Sequence, residues 1–291
     1  MQQARAGSGR VRPLLGPNAP QRCSPLAWDV WRCLRDRHDV PVHTHLLETR
    51  AQRLAGMRWP GGTVAEMERQ GLLDERLSVA HGIWLDEADS ATLGRHGVTI
   101  SHNPASNLML GSGTMPYAAH RRHGVRLALG TDSANTGGRH DLFEAMRLAF
   151  MLHRVPGADP SDWPTSADIL AMATVNGAHV LGIGGQAGRI AEGCLADLVL
   201  VRRGDAATLL LADTLDGFVL HANTGAIEAV MIGGAWALRG GRILAFDEAA
   251  ALAAAEALQA GILARTASGL PPVHAAIPML AQGLRSYLEG Q

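Results

Sequence analysis

Lysine is absent from this 291-residue chain, in which all 26 basic residues are arginine. This absence excludes a Schiff-base lysine, a lysine general base and a carboxylated lysine that bridges two metal ions. Any metal ion that the protein holds is therefore expected to have histidine and aspartate ligands.

Cysteine is also scarce. Cys23, Cys33 and Cys194 are odd in number and contain no C-x-x-C pair, so the sequence predicts neither a disulfide framework nor a cysteine zinc site. No apolar run approaches the roughly 20 residues of a membrane span, and the polar N-terminus lacks the apolar core of a signal peptide. We therefore expect a cytoplasmic protein.

Excess positive charge is missing as well. The formal net charge is -1, and no basic stripe of the kind that binds nucleic acid or an anionic membrane is present. The expected partner is instead a small molecule, and a homo-oligomer is left open. With 47% hydrophobic residues, the chain can bury a core large enough for one large domain with an appendage.

Three strand-like apolar runs end in residues that can bind a metal ion. The first begins at Val40, carries His43 and His45 on one side of a strand, and is followed by Glu48. The second ends at His81 and the third at Asp132. Because catalytic groups lie at the C-terminal rim of a parallel barrel, we expect these side chains to converge there.

Strand-like and helical patterns alternate every 20 to 35 residues over the first two thirds of the chain. They predict an α/β fold: a partial (β/α)8 TIM barrel of about five βα units, the first strand at Val11–Leu15, followed by a small β-sandwich portion and a C-terminal helix. The predicted divisions are a disordered N-terminus over 1–10, the incomplete barrel over 11–187, the β domain over 188–246 and the helical tail over 247–291.

Helix starts are predicted where a capping residue precedes an apolar pattern. Ser24-Pro25 predicts a helix to about His38 whose apolar face is Leu26, Val30, Trp31 and Leu34. Capping patterns predict three further starts, at Asp86, Asp141 and Thr165, the last on a helix that runs to about Leu181.

Together, His45, Glu48, His81 and Asp132 are typical of a hydrolytic metal site. A catalytic zinc ion takes about three protein ligands and lowers the pKa of water from 15.7 to about 7. Glu48 can protonate a ring nitrogen, while Asp132 can pass a proton from water to a departing amine. His81 is either a ligand or a hydrogen-bond partner of the attacking water.

Six ordered motifs resemble the amidohydrolase superfamily, in particular its cytosine-deaminase-like branch, which includes triazine aminohydrolases and S-adenosylhomocysteine deaminases. They cover roughly residues 11 to 246 and are Gly16–Ser24, Val42–Thr49, Val79–Asp86, Ser101–Asn107 with Leu110–Gly113, Leu129–Asp132, and Ala173–Ala178 followed by Gly188–Leu198.

The resemblance implies a role for each motif residue and a single divalent metal ion, zinc more than iron. His45 and Asp132 would be metal ligands, His81 would bind the metal or orient the water, and Glu48 would be the acid that protonates the heterocycle. Four further residues would contact substrate: Asn18, His102, Asn107 and His140. His43 is assigned a packing role.

Two features depart from the family pattern. Nothing before His38 can be the separate His-x-His of the first barrel strand, so the chain is expected to be the C-terminal two thirds of such an enzyme. Asn18 stands where nucleoside-deaminating relatives commonly have a histidine, which weakens the case for a nucleoside substrate.

The leading hypothesis is a metal-dependent hydrolase of non-peptide carbon-nitrogen bonds that deaminates a purine, pterin, pyrimidine or triazine. Removal of chlorine or an N-alkylamine from a triazine would use the same groups on another leaving group. The alternative from a different class is a catalytically silent fragment that lacks two metal ligands.

Overall fold

A computed structural model describes residues 11–202 and 214–289 of the chain. The predicted disordered N-terminus, residues 1–10, lies outside the described residues. The two described parts contain two four-stranded sheets, the first parallel and the second antiparallel. The predicted α/β class with a parallel sheet is confirmed.

The first sheet is built from four parallel strands in the order of the chain. They are β1 (Val42–Leu46), β2 (Leu77–His81), β3 (Thr99–His102) and β4 (Arg126–Leu129). In register, Leu46 lies opposite His81, and His102 lies opposite Leu129. The carboxyl ends of all four strands therefore meet at one edge of the sheet.

The predicted strand at Val11–Leu15 is wrong. Leu15 alone forms an isolated parallel bridge with Val42, so the described sheet has four strands and not five. Pro13 and Pro17 flank Leu15 two residues away on either side, and proline has no N–H to donate to a neighbouring strand. The strand ladder therefore cannot extend beyond Leu15.

One helix precedes the first sheet, and others connect its strands or follow its last strand. They are α1 (Pro25–His38), α2 (Arg50–Gly56), α3 (Gly62–Arg69), α4 (Glu87–Arg95), α5 (Pro104–Met109), α6 (Tyr117–Arg122), α7 (Ala134–Gly137), α8 (Leu142–Leu152), α9 (Ser166–Ala173) and α10 (Val175–Val180).

Of the apolar face predicted for α1, Trp31 is buried but Leu26 and Val30 are exposed, although the helix has the predicted bounds. Trp28, Trp31 and Arg35 are its buried residues, whereas Leu26 is 71% exposed. Two indole rings at a spacing of three residues bury more area than the branched side chains on the other face. The Arg35 guanidinium is buried because it donates to the backbone carbonyls of the α3–β2 connection.

The helix predicted from Thr165 to about Leu181 is two helices. The chain breaks at Thr174, whose φ of -125° and ψ of -92° lie outside helical values. The hydroxyl of Thr174 donates to the carbonyl of Leu170 one turn earlier. This local hydrogen bond competes with the helical ladder and ends α9 before α10 begins.

The C-terminal part contains a second sheet and two helices: β5 (Leu198–Val201), α11 (Leu215–His221), β6 (Ile227–Ile232), β7 (Ala235–Arg239), β8 (Arg242–Ile243) and α12 (Glu248–Glu289). Among the described residues, strands β5 to β8 form one antiparallel sheet in the order of the chain. Helix α12 is longer than its alanine-rich start predicts. Within residues 11–202 and 214–289, no helix is long and apolar enough to cross a membrane.

The parallel sheet positions the histidines through the alternation of β1. Val42, Thr44 and Leu46 point into the core, so His43 and His45 point to the opposite, half-buried face. All five residues of β2 are buried, because this strand lies between β1 and β3. One face of β1 therefore anchors the strand while the other presents imidazoles.

Candidate active site

Four side chains singled out from the sequence lie together at the carboxyl edge of the parallel sheet. The Nε2 atom of His81 is 3.9 Å from Glu48 Oε2 and 3.9 Å from Asp132 Oδ2. The rings of His45 and His81 stack with centroids 5.5 Å apart and planes inclined by 17°. Three strand ends thus bring two imidazoles and two carboxylates into one cluster, which we call the rim cluster.

The backbone around the rim cluster adopts left-handed conformations that side chains rarely tolerate. Leu47 has φ of 46°, His81 of 74° and Asp132 of 58°, and each lies at or just beyond the end of a strand. Such conformations cost of order 1–3 kcal/mol each and are typical of functional sites, where they aim a side chain that a regular strand would direct elsewhere.

His45 is oriented by a backbone carbonyl. Its Nδ1 atom lies 2.6 Å from the carbonyl oxygen of Asn18, and because that oxygen can only accept, Nδ1 carries the proton. The Nε2 atom of His45 is then unprotonated. This is the tautomer in which an imidazole can bind a cation.

His81 is oriented in the same way by an amide side chain. Its Nδ1 atom lies 2.8 Å from Oδ1 of Asn107, and the imidazole is 1% exposed. The Nε2 atom faces the carboxylates of Glu48 and Asp132. Both histidines of the rim cluster therefore have Nδ1 held by a carbonyl oxygen.

Asp132 has both carboxylate oxygens held. The hydroxyl of Ser106 donates to Oδ2 at 2.6 Å, and the backbone N–H of Ser133 donates to Oδ1 at 2.6 Å. Burial alone would raise the pKa of Asp132, but these donors and His81 outweigh it and lower the pKa below its usual 3.8. The carboxylate is therefore ionised at neutral pH.

Glu48 is held more loosely than Asp132. Its carboxylate is 3.4 Å from the Ser112 hydroxyl and 3.5 Å from the amide of Gln52, both long for hydrogen bonds. Its backbone N–H donates to Gln52 Oε1 at 2.8 Å, which fixes the start of the side chain. The carboxylate is thus tethered at its base and free to adjust at its tip, as a proton donor requires.

Two of the residues predicted to contact substrate are buried. His102 is fully buried, with Nε2 3.3 Å from Nε2 of His153, so it packs in the core and presents no surface to a ligand. Asn107 is 1% exposed, and its amide oxygen is committed to His81. His102 ends β3 and Asn107 lies on the buried side of α5, so neither side chain is exposed to solvent in the described structure.

The other two predicted substrate residues are exposed. The side chain of Asn18 accepts a hydrogen bond from Arg22 at 2.9 Å, while its backbone carbonyl holds His45. The Nδ1 atom of His140 lies 3.1 Å from the hydroxyl of Thr131, the residue that precedes Asp132. Asn18 and His140 therefore flank the rim cluster at opposite ends of the sheet, next to β1 and after β4.

A cavity of about 840 Å³ lies apart from the rim cluster. It is bounded by α8, α9, α11 and β5 and is mostly apolar. His140 lines it, but Glu48, His81 and Asp132 do not. By its shape alone, this cavity would be the expected ligand site. The carboxylates and imidazoles that can transfer protons lie instead at the edge of the sheet. We therefore take the rim cluster as the candidate active site.

The donor types of the rim cluster suit zinc, since two imidazoles and a carboxylate are common zinc ligands. Their number and arrangement fall short, because no group of three or more histidine, cysteine or acidic side chains within residues 11–202 and 214–289 is placed to hold an ion. The rim cluster therefore supplies only part of the ligands that a zinc ion needs.

Two serines of the site carry no sequence prediction. Ser106 holds Asp132, and Ser112 approaches Glu48. Both lie in the motif that continues past Asn107 to Gly113, so the motif pointed to the segment without revealing which side chains face the cluster. Serine is too common in turns and helix starts for its type alone to indicate a contact.

Gly130 leads the chain from β4 towards Asp132 and leaves no room for a side chain. A Cβ atom there would lie 2.2 Å from Asn103 Oδ1 and 2.9 Å from Ser101 Oγ. Gly130→Ala is expected to cost about 1–3 kcal/mol of unfolding free energy through overpacking, measured by urea denaturation. Gly16→Ala, where nothing lies within 4 Å, is the control. Equal stability of the two variants would contradict the prediction.

A sequence profile described as the amidohydrolase family matches residues 2–237. The chain belongs to the amidohydrolase family. The resemblance seen in the ordered motifs is thereby confirmed, and the first five of the six motifs meet at the rim cluster.

Named relatives of this amidohydrolase are deaminases. The chain is 36% identical over 245 residues to 5-methylthioadenosine/S-adenosylhomocysteine deaminase of Pyrococcus abyssi, covering 83% of this chain and 56% of the relative. It is 34% identical over 252 residues to 5'-deoxyadenosine deaminase of Methanothermobacter thermautotrophicus, covering 86% and 58%. The chain thus spans less than two thirds of the length of each.

Two solved structures share the fold of this chain. An adenosine deaminase from Xanthomonas campestris with bound zinc superposes with a TM-score of 0.85 at 31% identity, covering 90% of this chain and 60% of that one. Atrazine chlorohydrolase of Arthrobacter aurescens TC1, in complex with zinc, gives 0.78 at 24% identity, covering 84% and 54%. At 24% identity, the second comparison shows a shared fold and nothing about function.

Proposed function

We propose that this amidohydrolase deaminates a 5'-substituted adenosine or a related amino-purine by hydrolysis. The observation that carries the proposal is the meeting of Glu48 and Asp132 at Nε2 of His81, each 3.9 Å away. Two carboxylates in different settings can divide the roles of acid and base.

The substrate class comes from the relatives. Those named above are deaminases of methylthioadenosine, S-adenosylhomocysteine and 5'-deoxyadenosine, all adenosine derivatives altered at the 5' position. Because the chain spans only part of each relative, this carry-over is a proposal. The names of the relatives favour the purine among the four heterocycles that the sequence allowed. We give them more weight than the asparagine at position 18, where nucleoside-deaminating relatives commonly have a histidine.

The proposed reaction replaces the amino group of the purine by oxygen. Water adds to the carbon that bears the amine, ammonia leaves and a carbonyl is formed. Glu48, tethered at its base by Gln52, protonates the adjacent ring nitrogen and takes back the proton of the added hydroxyl when the carbonyl forms. Asp132, ionised because of its two donors, accepts a proton from water and returns it to the departing amine.

His81 contributes as an acceptor. With the proton on Nδ1, its Nε2 can accept a hydrogen bond from water that lies between Glu48 and Asp132. A divalent cation, zinc more than iron, supplies a Lewis acid that lowers the pKa of water when bound. His45 and Asp132, with His81 as the third candidate, are the residues of this chain proposed to bind it.

The proposal extends to the domain architecture of the chain. Four adjacent parallel strands with helical connections support the assignment of residues 11–187 to part of a (β/α)8 barrel. The β domain over 188–246 and the helical tail over 247–291 complete the proposed division.

Metal analysis and an ammonia-release assay on the purified chain test the proposal. We expect stoichiometric zinc or iron and release of ammonia from 5'-deoxyadenosine or methylthioadenosine, with Asp132→Asn as the negative control. A metal-loaded chain that releases no ammonia from any adenosine derivative would contradict the proposed activity. A chain with neither metal nor turnover would support the catalytically silent alternative.

A further inference from the structure

The short helix α5 carries two adjacent buried side chains that reach the rim cluster. Ser106 is fully buried and Asn107 is 1% exposed. Ser106 donates to Asp132 after β4, while Asn107 contacts His81 at the end of β2. One turn of α5 therefore contacts both His81 and Asp132, which are 51 residues apart in the sequence. Both contacts are made by buried side chains of the helix.

The Asn107 contact has a chemical consequence for His81. The amide oxygen Oδ1 has no hydrogen and can only accept, so the 2.8 Å contact requires the imidazole proton on Nδ1. A neutral histidine in water prefers the proton on Nε2. The contact therefore opposes the intrinsic preference and leaves Nε2 with a free lone pair directed at the carboxylates 3.9 Å away.

The opposite tautomer would be harmful at this place. A proton on Nε2 would point at Glu48 and Asp132 and would tie up their oxygens by donation. It would also remove the lone pair with which the imidazole accepts a hydrogen bond or binds a cation. Since His81 is 1% exposed, bulk water cannot supply an alternative partner for Nδ1. The amide of Asn107 is the partner within reach in the described structure.

We propose that Asn107 is a positioning residue that fixes His81 as the neutral tautomer with its proton on Nδ1, keeping Nε2 as an acceptor in the rim cluster. This deepens the proposed function and rests on it for its catalytic meaning. The tautomer itself can be measured without turnover. It assigns Asn107, which is 1% exposed, a contact with His81 in place of the expected contact with substrate.

The His45 ring provides an internal reference. Its Nδ1 proton is held by the backbone carbonyl of Asn18, which no side-chain substitution removes. The two rings are stacked 5.5 Å apart, so a general disturbance of the rim cluster would move the signals of both. A loss confined to the Asn107 contact would move only His81.

The test uses the full chain labelled with ring-15N histidine at mildly alkaline pH, with long-range proton-nitrogen correlation spectra. His81→Gln assigns the His81 signals. In the unaltered chain we expect a protonated Nδ1 and an unprotonated Nε2. In Asn107→Leu, which keeps the number and branching of the side-chain heavy atoms but has no acceptor, we expect the His81 signals to shift towards the opposite tautomer while those of His45 stay in place.

Two variants complete the design. Asn107→Asp retains an acceptor oxygen and is expected to restore the Nδ1-protonated pattern. Leu108→Ala, next in sequence on α5 and 48% exposed, is expected to change nothing. As a second readout, zinc affinity of Asn107→Leu is expected to fall by about 10–100-fold, the usual effect of losing a partner that orients a histidine ligand.

The inference is overturned if Nε2 of His81 is protonated in the unaltered chain, as it would be with the Asn107 amide turned over, or if Asn107→Leu leaves the tautomer unchanged. Should Asn107→Leu fail to fold, the spectrum of the unaltered chain alone decides. A correct tautomer in a chain that releases no ammonia would refute the proposed function and leave the inference standing.

Discussion

Replacing Glu48 by glutamine is expected to lower the rate of ammonia release by about 10²- to 10⁴-fold, the usual contribution of a positioned acid or base. Glutamine matches glutamate in size and preserves the contacts with Gln52 and Ser112, but it has no proton to deliver to a ring nitrogen. Because the side chain is half-buried and its partners are polar, the fold should survive. Steady-state kinetics of ammonia release on an adenosine derivative measure the effect.

The control is Glu87→Gln. Glu87 is an exposed carboxylate at the start of α4 that pairs with Arg122 and His123, so it has a histidine partner as Glu48 does but lies outside the rim cluster. Its turnover should match that of the unaltered chain. Full activity after both Glu48→Gln and Asp132→Asn would remove the basis of the proposed proton transfers.

Helix starts could be predicted because capping is a local interaction. The side chain of Asp86 accepts from the N–H of Asp89, and that of Asp141 accepts from the N–H groups that follow it. Ser24 and Thr165 cap their helices in the same way. A pattern of three or four residues contains both partners of each cap, so the sequence is sufficient.

Burial could not be predicted where it depends on distant elements. Leu26 and Trp28 are both apolar, and Trp28 is buried because its ring lies 5.3 Å from that of Trp59, 31 residues further along the chain, whereas Leu26 is exposed. His102 pairs with His153, 51 residues further along the chain, and no local pattern reports that contact. A strand-end histidine in the core has the same sequence signature as one at the rim.

The convergence of the rim cluster could be predicted from strand ends alone. Parallel strands bring their carboxyl ends to one edge, so His45, His81 and Asp132 had to approach one another once the strands were assigned. What the sequence could not supply is the orientation of each group. That depends on carbonyl and hydroxyl partners, such as Asn107 and Ser106, whose side chains face the cluster only in the folded chain.

Three buried histidines behind the rim cluster make acid lability an expected property of the fold. His102 and His153 are in contact, His153 also stacks on Tyr117, and His120 lies between Ser90 and the carbonyl of Gly82. Burial lowers the pKa of His120 to about 4 and that of His153 to about 4, and it holds the pKa of His102 well below the usual 6.5. All three are therefore neutral in the folded chain at neutral pH.

The sign of the pH effect follows from proton uptake. Below about pH 6.5 the unfolded chain protonates these histidines while the folded chain does not, so the unfolded state binds more protons and stability falls as the pH falls. A shift from 6.5 to about 4 corresponds to about 3 kcal/mol for each of His120 and His153. Since domains have only about 5–15 kcal/mol in all, the two together can unfold the chain near pH 4.

Urea unfolding at a series of pH values measures this loss. Between pH 6.5 and 4 we expect the unfolding free energy to fall with a slope approaching about 4 kcal/mol per pH unit, about 1.4 for each of the three buried histidines. His120→Gln, which keeps polar atoms near Ser90 and Gly82, should reduce the slope by about 1.4 kcal/mol per pH unit. A stability that is constant over this range would mean that the buried histidines take up protons without unfolding of the chain. The conclusion that they stay neutral in the folded chain would then be wrong.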